Sequence, residues 1–430
     1  MKKNMWLPIG ALCTVPFIMV LGNSMLIPVL PKIREVLKLS QFRAGLLITA
    51  FSVPAGIVIT FVGVLSDRIG RKNVMAPSLI LYGVAGVLAG LAALLVKRPY
   101  WWIFGARILQ GIGAAGTAPV AMALVGDLFN SQERSKVLGI VEASNGMGKV
   151  LSPVLGSGIA LITWYMPFFF YGILAVPSAI AVWTLCPEKR AAQKPPPLRQ
   201  YFQDLGKVFK QKPGSLISCY LAGGLILFTL FGILFYFSDK LETVWHYEGL
   251  VKGLLIALPV AAMAGVSLLA GSILQKRVNL LKWATLAGLV LVAGPLFLLC
   301  LVRQPLLSGG LLVVLGVGNG LALPAINTMV TSAAAGETRG MVTSVYGAVR
   351  FMGVALGPPL FGWLMARGQV AVFLPVAIVV SLAFVVTLFF LKVDQVKPPQ
   401  GQGQGQPPAQ GKGGQAPNQG QAKPKGKQGS

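Results

Sequence analysis

Apolar runs long enough to cross a bilayer recur along this chain, separated by short polar connections. A helix rising about 1.5 Å per residue needs roughly 20 apolar residues to span a hydrocarbon core about 30 Å thick. Such runs predict helices at 6–30, 44–65, 74–96, 101–126, 137–161, 165–186, 214–237, 250–273, 282–302, 305–330, 341–365 and 370–392. The pattern is that of an all-α membrane protein with twelve transmembrane helices. The first run follows Lys2 and Lys3 as a signal peptide would, but it has no small-residue cleavage site and outlasts a signal-peptide core, so it is expected to stay as helix one.

The basic, proline-rich stretch from Pro187 to Pro213 divides the runs into two groups of six. The expected organisation is an N-terminal bundle over 1–186, a linker over 187–213, a C-terminal bundle over 214–392 and a tail over 393–430. Within the linker, Leu198 to Phe209 has the pattern of a short amphipathic helix suited to an anionic membrane surface. The tail turns to Gly, Gln, Pro and Lys repeats with no apolar face, which predicts disorder. The two groups are related by sequence. A shift of 205 residues superposes GIGAAGTAP (111–119) on GVGNGLALP (316–324) and, without a gap, Arg134 on Arg339, Gly148 on Gly353 and Pro153 on Pro358. Two parallel six-helix repeats around a central site are the architecture of a rocking transporter.

Composition agrees, with 55% hydrophobic and 11% charged residues and a mean hydropathy of +0.72. The 37 basic residues outnumber the 12 acidic ones, but they are scattered between apolar runs rather than gathered on a soluble domain, which argues against nucleic acid as a partner. With both termini cytoplasmic, the inside connections collect Arg68, Arg71, Lys72, Arg134, Lys136, the linker and the tail. The outside ones collect fewer, among them Lys32, Arg34, Lys97, Arg98, Lys240 and Arg303. The positive-inside rule favours that orientation, in a plasma membrane. The four cysteines stand singly and His246 is isolated, so neither a metal site nor a cofactor is expected. Convergent nucleophile and base groups are also missing, which argues against an enzyme.

Three motifs carry more specific chemistry. GVLSDRIGRK runs from Gly63 to Lys72, with glycines for a tight turn and close helix approach and with Asp67 as an acceptor for helix-end and basic donors. RILQGIGAAG, from Arg107 to Gly116, places an arginine inside an apolar span, where it must face a cavity or a polar partner. GKVLSPVLGSG, from Gly148 to Gly158, is repeated by GVALGPPLFG, from Gly353 to Gly362; glycines four apart bring helices backbone to backbone. Together these resemble signature motifs of the major facilitator superfamily over nearly the whole chain up to the tail, and the last resembles the motif of its twelve-helix drug:proton antiporter branch. The resemblance implies two pseudo-symmetric bundles and a latch formed by Gly63, Asp67, Arg68, Gly70, Arg71 and Lys72 that favours an outward-open state. It also implies a proton-coupling role for Arg107 and a packing interface at Gly148, Ser152, Pro153, Gly156, Gly353, Gly357 and Pro358. The match has departures. Ser152 and Ser157 replace family glycines, GSILQKR (271–277) lacks the latch aspartate, and Leu312 stands where the repeat would put Arg107. Asn23 occupies helix one where drug antiporters often carry an acid.

Glu142, Asn145, Lys149 and Ser152 share one stripe of helix five. Glu142 reads as the one acid well inside an apolar span, and a carboxyl group held away from water can load and release a proton near neutrality. It is therefore the proton-carrier candidate, with Arg107 or Lys149 as its partner. Asn23, Asn145, Lys149, Arg350 and Phe231 are the candidate substrate contacts. Arg107, Lys149 and Arg350 against Glu142 predict a net positive cavity. The expected function is a monomeric multidrug-type exporter of small amphiphilic molecules, exchanged for protons and relevant to antibiotic resistance. An exporter or flippase of an anionic metabolite, a lipid or a lipid-linked sugar is the alternative.

Overall fold

The structure is a computed structural model and describes residues 5–129, 131–188, 198–334 and 337–396. The proline-rich part of the linker and the tail from residue 397 lie outside them; Val393–Val396, assigned to a disordered tail, instead form a short helix with Val396 buried. The helices are α1 (Trp6–Ser24), α2 (Leu30–Leu37), α3 (Gln41–Ile69), α4 (Arg71–Leu95), α5 (Tyr100–Ala115), α6 (Ala118–Leu128), α7 (Ser131–Ala160), α8 (Met166–Leu185), α9 (Leu198–Gln211), α10 (Pro213–Thr243), α11 (Gly249–Lys276), α12 (Leu281–Leu299), α13 (Pro305–Ser332), α14 (Glu337–Met365), α15 (Gln369–Phe390) and the short α16 (Val393–Val396). Two predicted spans are broken. The first ends at Ser24, makes a 3-10 turn at Ile27–Val29 and resumes as α2, so that Lys32 and Arg34 lie on a helix rather than in a connection. The fourth breaks at Gly116 and Thr117. Pro28, Pro31 and Pro119 lack the N–H that would carry each helix across the break.

Among the described residues, eleven spans are long and apolar enough to cross a membrane unaided, α1 with α2 and α5 with α6 each counting as one. The twelfth is α7, 30 residues long, whose polar stripe lowers its hydropathy. That stripe is tolerated because α7 packs against α1 and α11. Where a surface meets lipid the pattern is reversed: Leu374, Ile378, Leu382 and Phe389 of α15 are exposed.

The bundles pack with the symmetry of the sequence repeat. Between them α3 lies on α14 and α7 lies on α11, and exchanging the halves maps one pair onto the other. The repeat glycines show why the register persisted. A Cβ at Gly111 would lie 2.1 Å from the carbonyl oxygen of Phe51 on α3, and one at Gly316 would lie 2.1 Å from that of Pro259 on α11. Backbones this close exclude any side chain, and dispersion over such contacts is what holds helices together in lipid.

Arg107 organises the N-terminal bundle. Fully buried on α5, it donates through Nη1 to the Gly22 carbonyl at 2.9 Å and to Gln110 Oε1 at 2.6 Å, and through Nε to the Leu47 carbonyl at 3.2 Å. Its Nη2 donates to Asn23 Oδ1, while Asn23 Nδ2 donates to Ser52 Oγ at 2.9 Å. The Phe51 ring lies 4.5 Å from the guanidinium carbon. One side chain thus ties α1, α3 and α5 together with neutral partners only. Arg107 therefore pairs with Asn23 rather than with Glu142, and Asn23, with both ends of its amide engaged, belongs to this network rather than to a substrate surface.

A planar fork cannot be replaced by a point charge here. Asn23→Leu strands a buried donor and should cost about 2 kcal/mol; Arg107→Lys should destabilise about as much. Thermal unfolding in detergent checks both, and wild-type melting temperatures would show that the network does not hold the bundle.

Candidate functional site

The ends of the molecule are named here by the loop from Gly63 to Lys72: the motif end carries it, and the far end is opposite. At the motif end Gly70 has φ +103°, a conformation that glycine adopts freely, and a Cβ there would meet Glu188 Oε1 at 2.8 Å. Glu188 accepts from the backbone N–H of Arg71 at 3.0 Å and of Lys72 at 2.9 Å, so a carboxylate caps the open N-terminus of α4. Asp67, expected to accept from helix-end and basic donors, pairs with Arg71, which also reaches Asp127 Oδ2 at 3.1 Å and Ser66 Oγ at 2.7 Å. Gly63 is not pressed: the nearest atom to an added Cβ is Ser344 Oγ of α14 at 3.8 Å.

The packing motifs lie where helices meet. A Cβ at Gly156 would stand 2.3 Å from the Met25 carbonyl oxygen, and Gly148 faces Phe17, so α7 is held against the first span. Gly353 and Gly357 do the same for α14 against Gly224 and Phe228 of α10. Pro153 and Pro358 look across the bundle interface, towards Gly253 and Gly45. Ser152 is buried and turns its hydroxyl back to the Gly148 carbonyl, which lets it substitute for a glycine without an unmet polar group.

Along the polar stripe of α7, burial changes with depth. Glu142 is exposed, Asn145 is buried with its Oδ1 lacking a donor, and Lys149 is half-buried. Lys149 has neither a hydrogen bond nor an ion pair among the described residues; the charges that act on it are Glu142 on its own helix and Arg350 on α14. Arg350 is half-buried, its Nε is buried without an acceptor among the described residues, and its guanidinium carbon lies 5.6 Å from the centre of the Tyr346 ring. Among the described residues, these two cations, one from each bundle, therefore have no carboxylate partner. Phe231 of α10 is half-buried. Glu142, exposed within α7, is not the one acid on a spanning helix: Asp239 and Glu242, assigned to a connection, lie on the last turns of α10, and Asp239 is 5% exposed.

The far end is closed by contacts between bundles. Arg34 Nη2 of α2 lies 3.1 Å from Asp239 Oδ1 of α10. Lys252 of α11, 2% exposed, pairs with Glu242 and donates to the Pro28 carbonyl at 2.6 Å. Ser238 Oγ donates to the Ile27 carbonyl at 3.1 Å, and Thr49 Oγ1 to the Ala355 carbonyl at 2.6 Å. Between α7 and α11, a Cβ at Gly253 would touch Pro153 and Val154 at 2.8 Å, yet nothing stands within 4 Å of one at Gly146 or Gly265, nearer the motif end. The pair meets closely at the far end, while the space around an added Cβ at Gly146 or Gly265 is open. None of these far-end side chains announces itself in sequence; the one available signal was the extension of the α10 apolar pattern through Asp239.

Known proteins share this architecture. A family model described as Major Facilitator Superfamily matches residues 12–352 and 282–422. The chain is 37% identical over 383 residues to the bacillibactin exporter of Bacillus subtilis, covering 89% of this chain and 94% of that one. It is 27% identical over 357 residues to multidrug resistance protein 2 of the same organism, covering 80% and 86%. Among solved structures, the inward-facing, unoccupied bacterial homolog of the human lysosomal transporter Spinster superposes with a TM-score of 0.69 at 19% identity, over 92% of this chain and 96% of that one. With the motif loop, the paired bundles and the duplicated packing helices in place, the chain belongs to the major facilitator superfamily.

Proposed function

We propose that this protein is a secondary active exporter of small amphiphilic molecules, working by alternating access in exchange for protons. The observation that carries the reading is the state of the interface: the bundles are bonded together at the far end by Arg34 with Asp239 and by Lys252 with the Pro28 carbonyl, whereas the contact of α3 with α14 loosens towards the motif end, from 2.6 Å for an added Cβ at Gly45 to 3.8 Å at Gly63. The positive-inside bias makes the motif end and both termini cytoplasmic, so this state admits cargo from the cytoplasm. The relatives support the direction of transport, since their names are those of an exporter and a multidrug resistance protein.

Lys149 and Arg350 bias the cargo towards acids, because a half-buried cation without a counter-ion among the described residues is met by an anionic ligand at lower cost than by a neutral one. Asn145, with an unpaired buried carbonyl oxygen, and Phe231 complete a polar and aromatic set for an amphiphile. Bacillibactin, named for the relative at 37% identity, is the first compound to test, beside a multidrug panel. An acidic lipid headgroup would satisfy the same cations. Counterflow in proteoliposomes separates the two, since only a flippase moves labelled lipid between leaflets.

The reading is tested in proteoliposomes under an imposed pH gradient: uphill movement of cargo that collapses with the gradient is expected, and gradient-independent movement would remove proton exchange. Lys149→Gln and Arg350→Gln should each weaken binding of an acidic cargo about tenfold, the equivalent of about 1.4 kcal/mol, and leave cationic dyes unaffected or better bound; equal losses for both cargo classes would mean that neither cation reads charge. Asp67→Asn should slow transport several-fold with cargo affinity retained, because the latch acts on the conformational equilibrium. Distances between labels on the two bundles should report fewer outward-open molecules, and an unchanged distribution with full transport would discard the latch.

A further inference from the structure

Asp239 is the one buried acidic side chain among the described residues, and its partner belongs to the other bundle. The remaining charges around it are accounted for differently. Glu242 and Tyr236 share its helix, Lys240 lies over the Tyr236 ring at 5.7 Å, and Arg303 acts on Tyr236 from beyond α12. Lys252 comes from α11, and Glu248 from the turn before it. Beside Arg34 on α2, Lys32 and Glu35 pair with each other at 2.9 Å. The two buried ion pairs thus differ in kind. Lys252 and Glu242 both belong to the C-terminal bundle and stay together however the bundles move; all that Lys252 loses on opening is the Pro28 carbonyl. Arg34 and Asp239 are carried on opposite bundles, so the far end cannot open without separating them.

We propose that Arg34 and Asp239 form an ionic lock between the bundles at the far end, and that Asp239 is a proton-binding site whose occupation releases it. With the far end closed, the Arg34 guanidinium lies 3.1 Å from the carboxylate. Opening withdraws Arg34 and turns Asp239 towards the water of that compartment, where a proton takes the place of the lost counter-ion. Because the open form binds the proton and the closed form binds Arg34, acid on the far side favours opening, and closure expels the proton. No electron transfer or bond to cargo is involved. The lock rests on the proton-exchange reading only for its place in the transport cycle, since the equilibrium itself needs neither cargo nor gradient.

The test is a distance measurement on the purified full chain in lipid nanodiscs. Spin labels are placed at Val36→Cys on α2 and Tyr247→Cys beyond α10, both exposed, in a background lacking the native cysteines. Wild type should show mainly the short, closed distance at pH 7.5 and at least a threefold larger far-open population at pH 5. Asp239→Asn and Arg34→Ala should both be far-open at either pH. The swapped pair Arg34→Asp with Asp239→Arg should restore the short distance, which general damage to the fold would not do. Glu242→Gln should keep the response to pH. A closed distribution in Asp239→Asn, a pH response that survives in it, or a response that disappears in Glu242→Gln would overturn the proposal. Failure of gradient-driven transport with these distances as expected would count against proton exchange and leave the lock standing.

Discussion

A charge inside a membrane-spanning bundle must be answered, and the manner of its answer divides this protein into working parts. Hydrocarbon offers no hydrogen bonds, so each buried guanidinium, ammonium or carboxylate finds a partner in its own bundle, finds one in the opposite bundle, or borders space. Arg107 is answered within one bundle by carbonyls and amides of three spans, and it becomes structural. Arg34 and Asp239 answer each other across the interface, and their contact exists only while one end is shut. Lys149 and Arg350 have no carboxylate partners among the described residues and face each other's fields from opposite bundles.

The rest of the architecture keeps these groups in register. Helices in lipid gain little from hiding apolar surface from one another, so close backbone approach at small residues has to hold them. The Gly111 and Gly316 contacts, related by the sequence repeat, clamp corresponding helices in the two bundles, and proline and glycine at the interface let α3 meet α14 and α7 meet α11. Rigid halves with paired contact surfaces rock rather than deform. α7 and α11 touch through Gly253 and Pro153 at the far end, and the contact of α3 with α14 slackens from Gly45 towards Gly63 at the motif end.

Much of this was readable in the chain itself, because the membrane imposes a strict grammar. Span length follows from bilayer thickness, and the duplicated register from helix contacts too close to admit a side chain, so the fold, the two bundles and the motif loop emerge from pattern alone. Arg107 was recognisable as buried because an arginine in an apolar run has few other options. Other assignments failed where they depended on depth or partner. Glu142 reads as interior from its place in helix five, yet it is exposed; Asp239 reads as a connection residue because it stands among Lys240 and Glu242, yet α10 carries it into the sealed interface. Glu188, 118 residues in number beyond Gly70, caps α4 in a way no local motif signals. Hydrophobic periodicity reports which stretches enter the membrane, and it carries no information on which bundle supplies a charge's partner. The sequence by itself determined the helices, their duplication and the inventory of intramembrane charges; only the tertiary structure decided which of those charges are bonded within a bundle, which across the interface and which remain unpaired, since each outcome depends on distances between helices far apart along the chain.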